Sequence, residues 1–178
     1  VTTGLGIVFN DLGLLPGQSI AVFGVGGVGI NVIQGASLVN AYPIVAIDLH
    51  DQKLQQAVAF GATHTLNASR EESSPYLNEL SAGLGFDATV DMTGNSAVRQ
   101  AAYDATSHTG KTILAGVPHH ADKINIDSFP LHFGRRISGS HGGDTRPDVD
   151  IPRYANLYTL GRLKLMEQIT HRYNLDDI

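Results

Sequence analysis

Apolar residues along the chain are gathered in six short runs, separated by segments in which apolar positions recur every three or four residues. The runs have the length of buried strands and cover residues 19–23, 44–47, 64–66, 86–91, 111–115 and 136–140. The other segments predict helices over residues 2–12, 28–39, 52–60, 74–83, 98–105 and 152–160. This alternation through short turns predicts an α/β fold, with a doubly wound six-stranded parallel sheet in the order 3-2-1-4-5-6.

In a sheet of this kind, ligands bind outside the carboxyl ends of the strands at the point where the strand order reverses. For the predicted order, that point lies between strands 1 and 4. A further segment from Ile124 to Ile126 alternates apolar and polar residues, and it is predicted to be an edge strand.

A glycine motif with the spacing G-x-G-x-x-G follows the first predicted strand, at Gly24, Gly26 and Gly29, with an additional Gly27. Gly24 allows a tight turn out of the strand, and Gly26 lets a pyrophosphate lie against bare backbone. Gly29 lets the next helix pack closely on the strand, and the N-terminal amides of that helix would point at the phosphates. The motif therefore predicts a dinucleotide site in a Rossmann-type sheet.

Asp48 ends the second predicted strand, 19 residues after Gly29. A carboxylate at this place accepts hydrogen bonds from the ribose diol of a dinucleotide. It would also repel a ribose 2′-phosphate, and no arginine stands at residues 49–51 to compensate, so we expect NAD(H) to be preferred to NADP(H). Capping the helix that follows is an alternative role for Asp48, compatible with the first.

The composition is that of an ordinary globular domain, with 178 residues, 42% hydrophobic and 16% charged. A net charge of −5, without any run of Lys or Arg, argues against nucleic acid as a partner. No apolar stretch approaches the roughly 20 residues of a membrane span, and the N-terminus lacks a secretory signal pattern. The expected compartment is the cytoplasm.

Candidate catalytic and metal-binding groups are few. The chain contains no cysteine, which excludes a thiolate metal site on it. The adjacent His119 and His120 would point apart, and no second cluster supplies spaced ligands, so no metal is predicted here. A G-x-S-x-G motif is missing, and so is a tyrosine followed four residues later by lysine. No catalytic residue is therefore predicted on this chain.

Several short stretches besides the glycine motif carry a family resemblance, and they span nearly the whole chain. They are TTGLG from Thr2, LPG from Leu15, AID up to Asp48, Lys53, FGAT from Phe60, FD from Phe86, TG from Thr93, LAGV from Leu114 and ITH from Ile169. In these stretches the sequence resembles the coenzyme domain of the zinc-containing medium-chain alcohol dehydrogenases.

The resemblance implies an NAD-binding Rossmann domain over residues 1–164, and residues 165–178 would begin the return to a catalytic domain outside this sequence. Both ends of the chain are thus expected to be cuts through a longer protein. The resemblance also assigns cofactor contacts: Thr3 and Val28 to the nicotinamide; Gly24, Gly26, Gly27 and Gly29 to the pyrophosphate; Asp48 and Lys53 to the adenosine ribose; and Thr93, Gly94, Gly116 and Val117 to the dinucleotide groove.

The function implied is hydride transfer between NAD and an alcohol, aldehyde or ketone. The family's zinc ligands lie mostly in the other domain, so zinc is expected in the parent enzyme only, and this chain is expected to be inactive alone. Three alternatives remain open: a zinc-independent medium-chain reductase, a non-catalytic NAD-sensing module, and an S-adenosylmethionine methyltransferase. The six-residue glycine spacing and the second βαβ half favour a dinucleotide over the methyl donor.

Self-association is the last expectation from the sequence. An unpaired edge strand at Ile124 and Ile126 would pair with the same strand of a second copy, and Phe129, Leu131 and Phe133 would add an apolar patch beside it. The resemblance points the same way, because such dehydrogenases commonly join their coenzyme domains edge to edge. A homodimer is therefore expected.

Overall fold

Six parallel strands form one sheet in the computed structural model, which describes residues 1–177. The strands are β1 (Ile20–Phe23), β2 (Ile44–Asp48), β3 (His64–Asn67), β4 (Phe86–Asp91), β5 (Thr106–Leu114) and β6 (Arg136–Gly139). Their order is β3-β2-β1-β4-β5-β6, and every neighbouring pair is parallel. The predicted doubly wound sheet and its strand order are confirmed.

Helices and helical turns connect these strands. The α-helices are α1 (Thr2–Gly6), α2 (Gly29–Leu38), α3 (Asp51–Ala59), α4 (Ser73–Leu80), α5 (Ser96–Asp104) and α6 (Pro147–Thr159). A π-helical segment covers Ile7–Leu12, and 3-10 turns cover Phe129–Phe133, Gly142–Asp144, Met166–Gln168 and Leu175–Asp177. None of the helices within residues 1–177 is long and apolar enough to cross a membrane.

The central strand shows why the sheet is covered on both faces. All four residues of β1 are buried, and successive side chains alternate between the faces. Ile20 and Val22 belong to the apolar cluster that also holds buried residues of α2 and α3. Ala21 and Phe23 belong to the cluster that holds buried residues of α4 and α5. Continuous apolar runs, rather than alternating ones, follow from this double burial.

Two valines in the helical segments are exposed although their apolar neighbours are buried. Val28 precedes the first turn of α2 and is 39% exposed, whereas Val32 and Ala36 farther along that helix are buried. In α3, Val58 is exposed although Leu54 is buried. The exposed Val28 side chain is therefore free of the core at the entrance to α2, next to the glycine turn.

The N-terminal helix has a different form from the prediction. It is regular only over Thr2–Gly6 and continues as the π-helical segment Ile7–Leu12. Val1 is its N-cap residue, and no side-chain hydrogen bond caps its start. Gly13 ends it with φ of 60°, a left-handed conformation that favours glycine.

The predicted edge strand at Ile124 and Ile126 is absent, and that prediction is wrong. The segment is held by contacts with α5 instead: the Asn125 amide donates to Gln100 Oε1 at 3.3 Å, and the Tyr103 hydroxyl donates to the Asp127 carbonyl at 2.6 Å. The edge of the sheet on this side is β6, which pairs only with β5. Alternation of apolar and polar residues is not sufficient for a strand, because a strand also needs a neighbouring strand with which it can form hydrogen bonds.

Two further boundaries differ from the prediction. β5 begins at Thr106 rather than at residue 111, with an irregular register opposite Phe86 and Ala88, so Gly110 lies inside the strand. α6 begins at Pro147 rather than at residue 152, with proline at the first helical position, where its missing N–H costs nothing. The Asp150 carboxylate, one turn into the helix, accepts from the amide of the N-cap residue Arg146 at 2.9 Å.

The chain divides into two compact units, one over residues 1–145 and the other from residue 146 onward. The first unit contains the whole sheet, α1 to α5 and both apolar clusters. The second contains α6 and the two C-terminal 3-10 turns. The division into a coenzyme domain over 1–164 and a return segment over 165–178 stays a prediction.

Candidate dinucleotide-binding site

A cavity of about 670 Å³ opens at the carboxyl ends of β1, β2 and β4. Ligand cavities in proteins are commonly about 300–1,000 Å³. Eight of the twelve predicted cofactor contacts line it: Gly24, Gly26, Gly27, Val28, Gly29, Asp48, Lys53 and Thr93. Its place is the switch point of the strand order, where the sequence predicted a ligand.

The glycines of the turn differ in backbone conformation and in the space around them. Gly24 leaves β1 with φ of 90°, a conformation that side chains rarely adopt. A Cβ atom on Gly29 would overlap the Gly24 carbonyl oxygen, so this position requires glycine for packing. Cβ atoms on Gly26 and Gly27 would meet nothing within 4 Å. These two residues therefore present bare backbone to the cavity, and this open cradle fits a pyrophosphate.

Hydrogen bonds from the first residues of α2 hold the glycine turn in place. The Ile30 amide donates to the Gly26 carbonyl at 2.9 Å, and the buried Asn31 side chain donates to the Gly27 carbonyl at 2.9 Å. The first amides of a helix have no acceptor within the helix, and its dipole favours a negative charge at this end. The N-terminus of α2 is therefore suited to an anionic group over the glycine turn.

Asp48 is 8% exposed, and its carboxylate joins two loops. One oxygen, Oδ2, accepts from the Val25 amide at 3.0 Å. The other, Oδ1, accepts from the Leu49 and His50 amides at 2.8 and 3.1 Å, and Lys53 Nζ lies 3.8 Å away. His50, not Asp48, is the N-cap residue of α3. Asp48 thus reaches both the glycine turn and the predicted ribose position.

The sequence-based prediction missed Asp91, which organises the end of β4. This carboxylate is fully buried. It accepts from the Thr93 amide and hydroxyl at 3.0 and 2.7 Å, and from the Gly94 amide at 3.1 Å. Thr93 in turn packs against Gly24, where a Cβ would lie 2.9 Å from Thr93 Cγ2. An acidic residue at the end of a strand, as at Asp48, was the signal available in the sequence.

Three other predicted cofactor contacts do not line the cavity. They are Gly94, Gly116 and Val117, whose backbones lie against one another and form what we call the backbone junction. Gly94 has φ of 71°, and a Cβ on it would overlap the Val117 carbonyl oxygen. A Cβ on Gly116 would overlap the Gly94 amide nitrogen. The Gly116 amide also donates to the Asp91 carbonyl at 2.9 Å. This junction joins the ends of β4 and β5, and the Val117 side chain is exposed beside it.

Thr3, the remaining predicted contact, does not line the cavity either. It lies on α1, which approaches the glycine turn closely: a Cβ on Gly4 would lie 2.6 Å from the Val28 carbonyl oxygen. On its other side α1 meets the 3-10 turn at Gly143, where a Cβ would overlap the Thr3 carbonyl oxygen. Thr145 Oγ1 adds a hydrogen bond to the Thr2 carbonyl at 3.3 Å. α1 is thus held between the glycine turn and residues 142–145.

His50 and Arg70 also lie near the site, and the sequence-based prediction named neither. His50 lines the main cavity and a neighbouring one of about 520 Å³. Arg70 follows β3 and lines the neighbouring cavity, where its Nη2 lies 2.6 Å from Asp51 Oδ2. Asn67 Nδ2 donates to the other Asp51 oxygen at 2.5 Å. These donors, Asn67 first, lower the pKa of Asp51.

No group of three His, Asp or Glu side chains within residues 1–177 is placed to hold a metal ion. The structure therefore offers no ligand set for zinc in the part of the chain it describes. That this chain binds no zinc stays a prediction.

A family model described as "Zinc-binding dehydrogenase" matches residues 27–158. Curated relatives match over the full chain. The S-(hydroxymethyl)glutathione dehydrogenases of Paracoccus denitrificans and Komagataella pastoris are 35% and 37% identical to it. The chain covers 49% and 48% of those two proteins, so it spans about half the length of the curated relatives it matches.

Solved structures of dehydrogenases also resemble this chain. The crystal structure of an alcohol dehydrogenase zinc-binding domain protein from Burkholderia ambifaria has a TM-score of 0.86 and 33% identity, covering 90% of this chain and 44% of that one. Benzyl alcohol dehydrogenase from Acinetobacter calcoaceticus also has a TM-score of 0.86, at 28% identity with the same coverage.

Proposed function

Because the chain belongs to the zinc-binding dehydrogenase family, we propose that it is the NAD(H)-binding part of a zinc-dependent alcohol dehydrogenase. The observation that carries this proposal is the meeting of the glycine turn and Asp48 at one cavity, at the reversal point of the sheet. The parent enzyme would transfer hydride between an alcohol, aldehyde or ketone and NAD. When bound, NAD supplies the hydride acceptor and NADH the donor.

The residues of this chain would bind and orient the cofactor. Gly26, Gly27 and the N-terminus of α2 would hold the pyrophosphate. Asp48 and Lys53 would hold the adenosine ribose, because they lie together at the end of β2 with the carboxylate fixed by three amides. Thr3 and Val28 would contact the nicotinamide. The dinucleotide groove would be lined by Thr93, Gly94, Gly116 and Val117. Zinc would be bound elsewhere in the parent enzyme, where it polarises the alcohol oxygen.

Titration of the protein with NADH, followed by the fluorescence of the bound nicotinamide, tests this proposal. We expect saturable binding, and weaker binding of NADPH near neutral pH because of the Asp48 carboxylate. S-Adenosylmethionine in a parallel titration tests the methyltransferase alternative. Binding of S-adenosylmethionine without binding of NADH would overturn the dinucleotide assignment.

An activity assay of the full-length protein tests the remaining two alternatives. Alcohol oxidation that is lost when zinc is removed is expected of the zinc enzyme, but not of a zinc-independent reductase or of a non-catalytic sensing module.

We also propose that the protein is a homodimer. Support comes from the open edge at β6 and from two aromatic rings in the turn that precedes it. Phe129 and Phe133 are 67% and 63% exposed, with ring centroids 4.9 Å apart. Sedimentation equilibrium should show a dimer that is weakened by Phe129→Ser with Phe133→Ser, but not by Leu84→Ser at an exposed position elsewhere. A monomeric parent protein at high concentration would exclude this proposal.

A further inference from the structure

Three consecutive residues after β6 have left-handed backbone conformations, and we call residues 142–144 the left-handed turn. Gly142, Gly143 and Asp144 have φ of 64°, 72° and 46°. Glycine adopts this conformation freely, but it is strained at a residue with a side chain such as Asp144. Strain of this kind persists only where the surrounding structure holds it, and it is concentrated at functional sites. The contacts that hold this turn therefore point to its role.

Asn10, in the π-helical segment, makes two of these contacts. Its Nδ2 donates to the Gly143 carbonyl at 3.1 Å and to the Asp144 carbonyl at 3.2 Å. π-Helical turns are rare, and they are frequently found at functional sites. One side chain on this unusual segment thus fixes two peptide groups of the left-handed turn.

Asp11, the next residue, holds the chain that leads into the same turn. Its Oδ2 accepts from the Ser140 hydroxyl at 2.5 Å, and Ser140 Oγ accepts from the Gly143 amide at 3.0 Å. Lys111 Nζ, on β5, donates to the Asp11 carbonyl oxygen. Asn10 and Asp11 therefore fix the loop after β6 at its start and at its strained residues.

The left-handed turn packs directly on α1. A Cβ atom on Gly6 would overlap the Gly143 carbonyl oxygen, and one on Gly143 would overlap the Thr3 carbonyl oxygen. On its other side α1 approaches the glycine turn, where a Cβ on Gly4 would lie 2.6 Å from the Val28 carbonyl oxygen. Because these backbones leave no free space between them, a displacement of the left-handed turn would also displace α1.

We propose that Asn10 and Asp11 are positioning residues for the nicotinamide half of the cofactor. The inference rests on the proposed function, which puts the adenosine ribose at Asp48 and the pyrophosphate at the glycine turn. The second nucleotide of an extended dinucleotide then lies beyond that turn, over the carboxyl ends of β4, β5 and β6. Asn10 and Asp11 act without touching the cofactor, by holding the left-handed turn against α1, which carries Thr3.

The test compares NADH with ADP-ribose, which lacks the nicotinamide ring. Calorimetric titration of the full-length protein gives the two dissociation constants for each variant. Asn10→Leu removes both donors at similar volume, and Asp11→Ala removes the acceptor for Ser140. Asp11→Asn keeps an acceptor oxygen and is the conservative variant. Asn78→Leu is the matched control, because Asn78 is an exposed residue of α4 that does not line the cofactor cavity.

We expect Asn10→Leu and Asp11→Ala to weaken NADH binding by about fivefold to twentyfold, and ADP-ribose binding by less than about twofold. The reason is that only the nicotinamide half of the cofactor meets the displaced segments. Asp11→Asn and Asn78→Leu should bind both ligands as the unmutated protein does. Retained ADP-ribose binding shows that each variant is folded.

An equal loss of affinity for NADH and ADP-ribose would show a general effect on the domain and would overturn the proposal. Unchanged NADH binding in both Asn10→Leu and Asp11→Ala would overturn it as well. In either case the unmutated protein binds NADH, so the proposed function stands. If the unmutated protein binds neither NADH nor ADP-ribose, the proposed function fails, and the positioning role fails with it.

Discussion

The Asp48 carboxylate accepts a hydrogen bond from the Val25 amide at 3.0 Å, which links the end of β2 to the glycine turn after β1. One side chain thus holds the proposed ribose site and the proposed pyrophosphate site in a fixed relation. Hydrogen bonds to a charged group contribute about 1.5–3 kcal/mol each. A substitution of Asp48 therefore affects both proposed sites at once.

Replacing Asp48 with glycine should weaken NADH binding by about tenfold to a hundredfold. The ribose would lose its hydrogen-bond acceptor, and the glycine turn would lose the hydrogen bond from the Val25 amide. Calorimetric titration with NADH measures the change. Asp48→Asn keeps one acceptor oxygen for the Val25 amide and should lose less affinity. Asp104→Asn serves as a control, since Asp104 does not line the cofactor cavity. Parent-like NADH affinity in Asp48→Gly would contradict the assigned role.

Two glycines of the turn should respond differently to the same substitution. Gly29→Ala places a methyl group onto the Gly24 carbonyl, so we expect a loss of about 1–3 kcal/mol in the free energy of unfolding. Gly26→Ala meets open space and should leave the melting temperature nearly unchanged. It should nevertheless weaken NADH binding by about tenfold or more, since the methyl group occupies the pyrophosphate position.

Thermal unfolding combined with NADH titration distinguishes these two effects. If Gly26→Ala bound NADH as tightly as the parent protein, the pyrophosphate would lie elsewhere. If Gly29→Ala were as stable as the parent, the close contact with Gly24 would not limit packing.

Asp91 should act on stability first. Asp91→Ala leaves the Thr93 amide, the Thr93 hydroxyl and the Gly94 amide without their shared acceptor, which should cost about 3 kcal/mol or more. Asp91→Asn keeps one acceptor oxygen and should lose less. Urea denaturation measures both values. Asp127→Ala, which changes an exposed aspartate outside the Thr93 loop, serves as the control for the loss of stability. A loss no greater than in that variant would show that Asp91 does not hold the loop.

The pH dependence of Asp51 follows from its partners. Hydrogen bonding from Asn67 and the Arg70 guanidinium lower its pKa, so its favourable contribution to stability is present above the ordinary aspartate pKa of about 3.9. That contribution is lost as the pH falls through the lowered value. An NMR titration of the Asp51 carboxyl carbon should show the low midpoint, and Asn67→Ala should raise it. An unchanged midpoint in Asn67→Ala, as expected for Gln52→Ala, would show that Asn67 is not the cause.

The elements defined by local spacing could be predicted from the sequence. The short apolar runs marked all six strands, and the alternation with helices predicted their order, because parallel crossovers must be right-handed and cover both faces. The spacing of Gly24, Gly26 and Gly29, with Asp48 at the end of β2, predicted a ligand at the edge of the sheet where the structure has its cavity. These features depend on residues that are close in sequence, where conformational preference and periodicity carry the information.

Only the tertiary structure decided the contacts between distant segments. Asp91 acts on the loop at Thr93 and, through it, on Gly24, and Arg70 reaches the region of Asp51 from the loop after β3. The segment from Ile124 to Ile126 has the pattern of a strand, but the Asn125 amide donates to the side chain of Gln100 on α5 rather than to another strand. Whether a polar group finds a partner depends on which loops meet in space, and a one-dimensional pattern does not contain that distance.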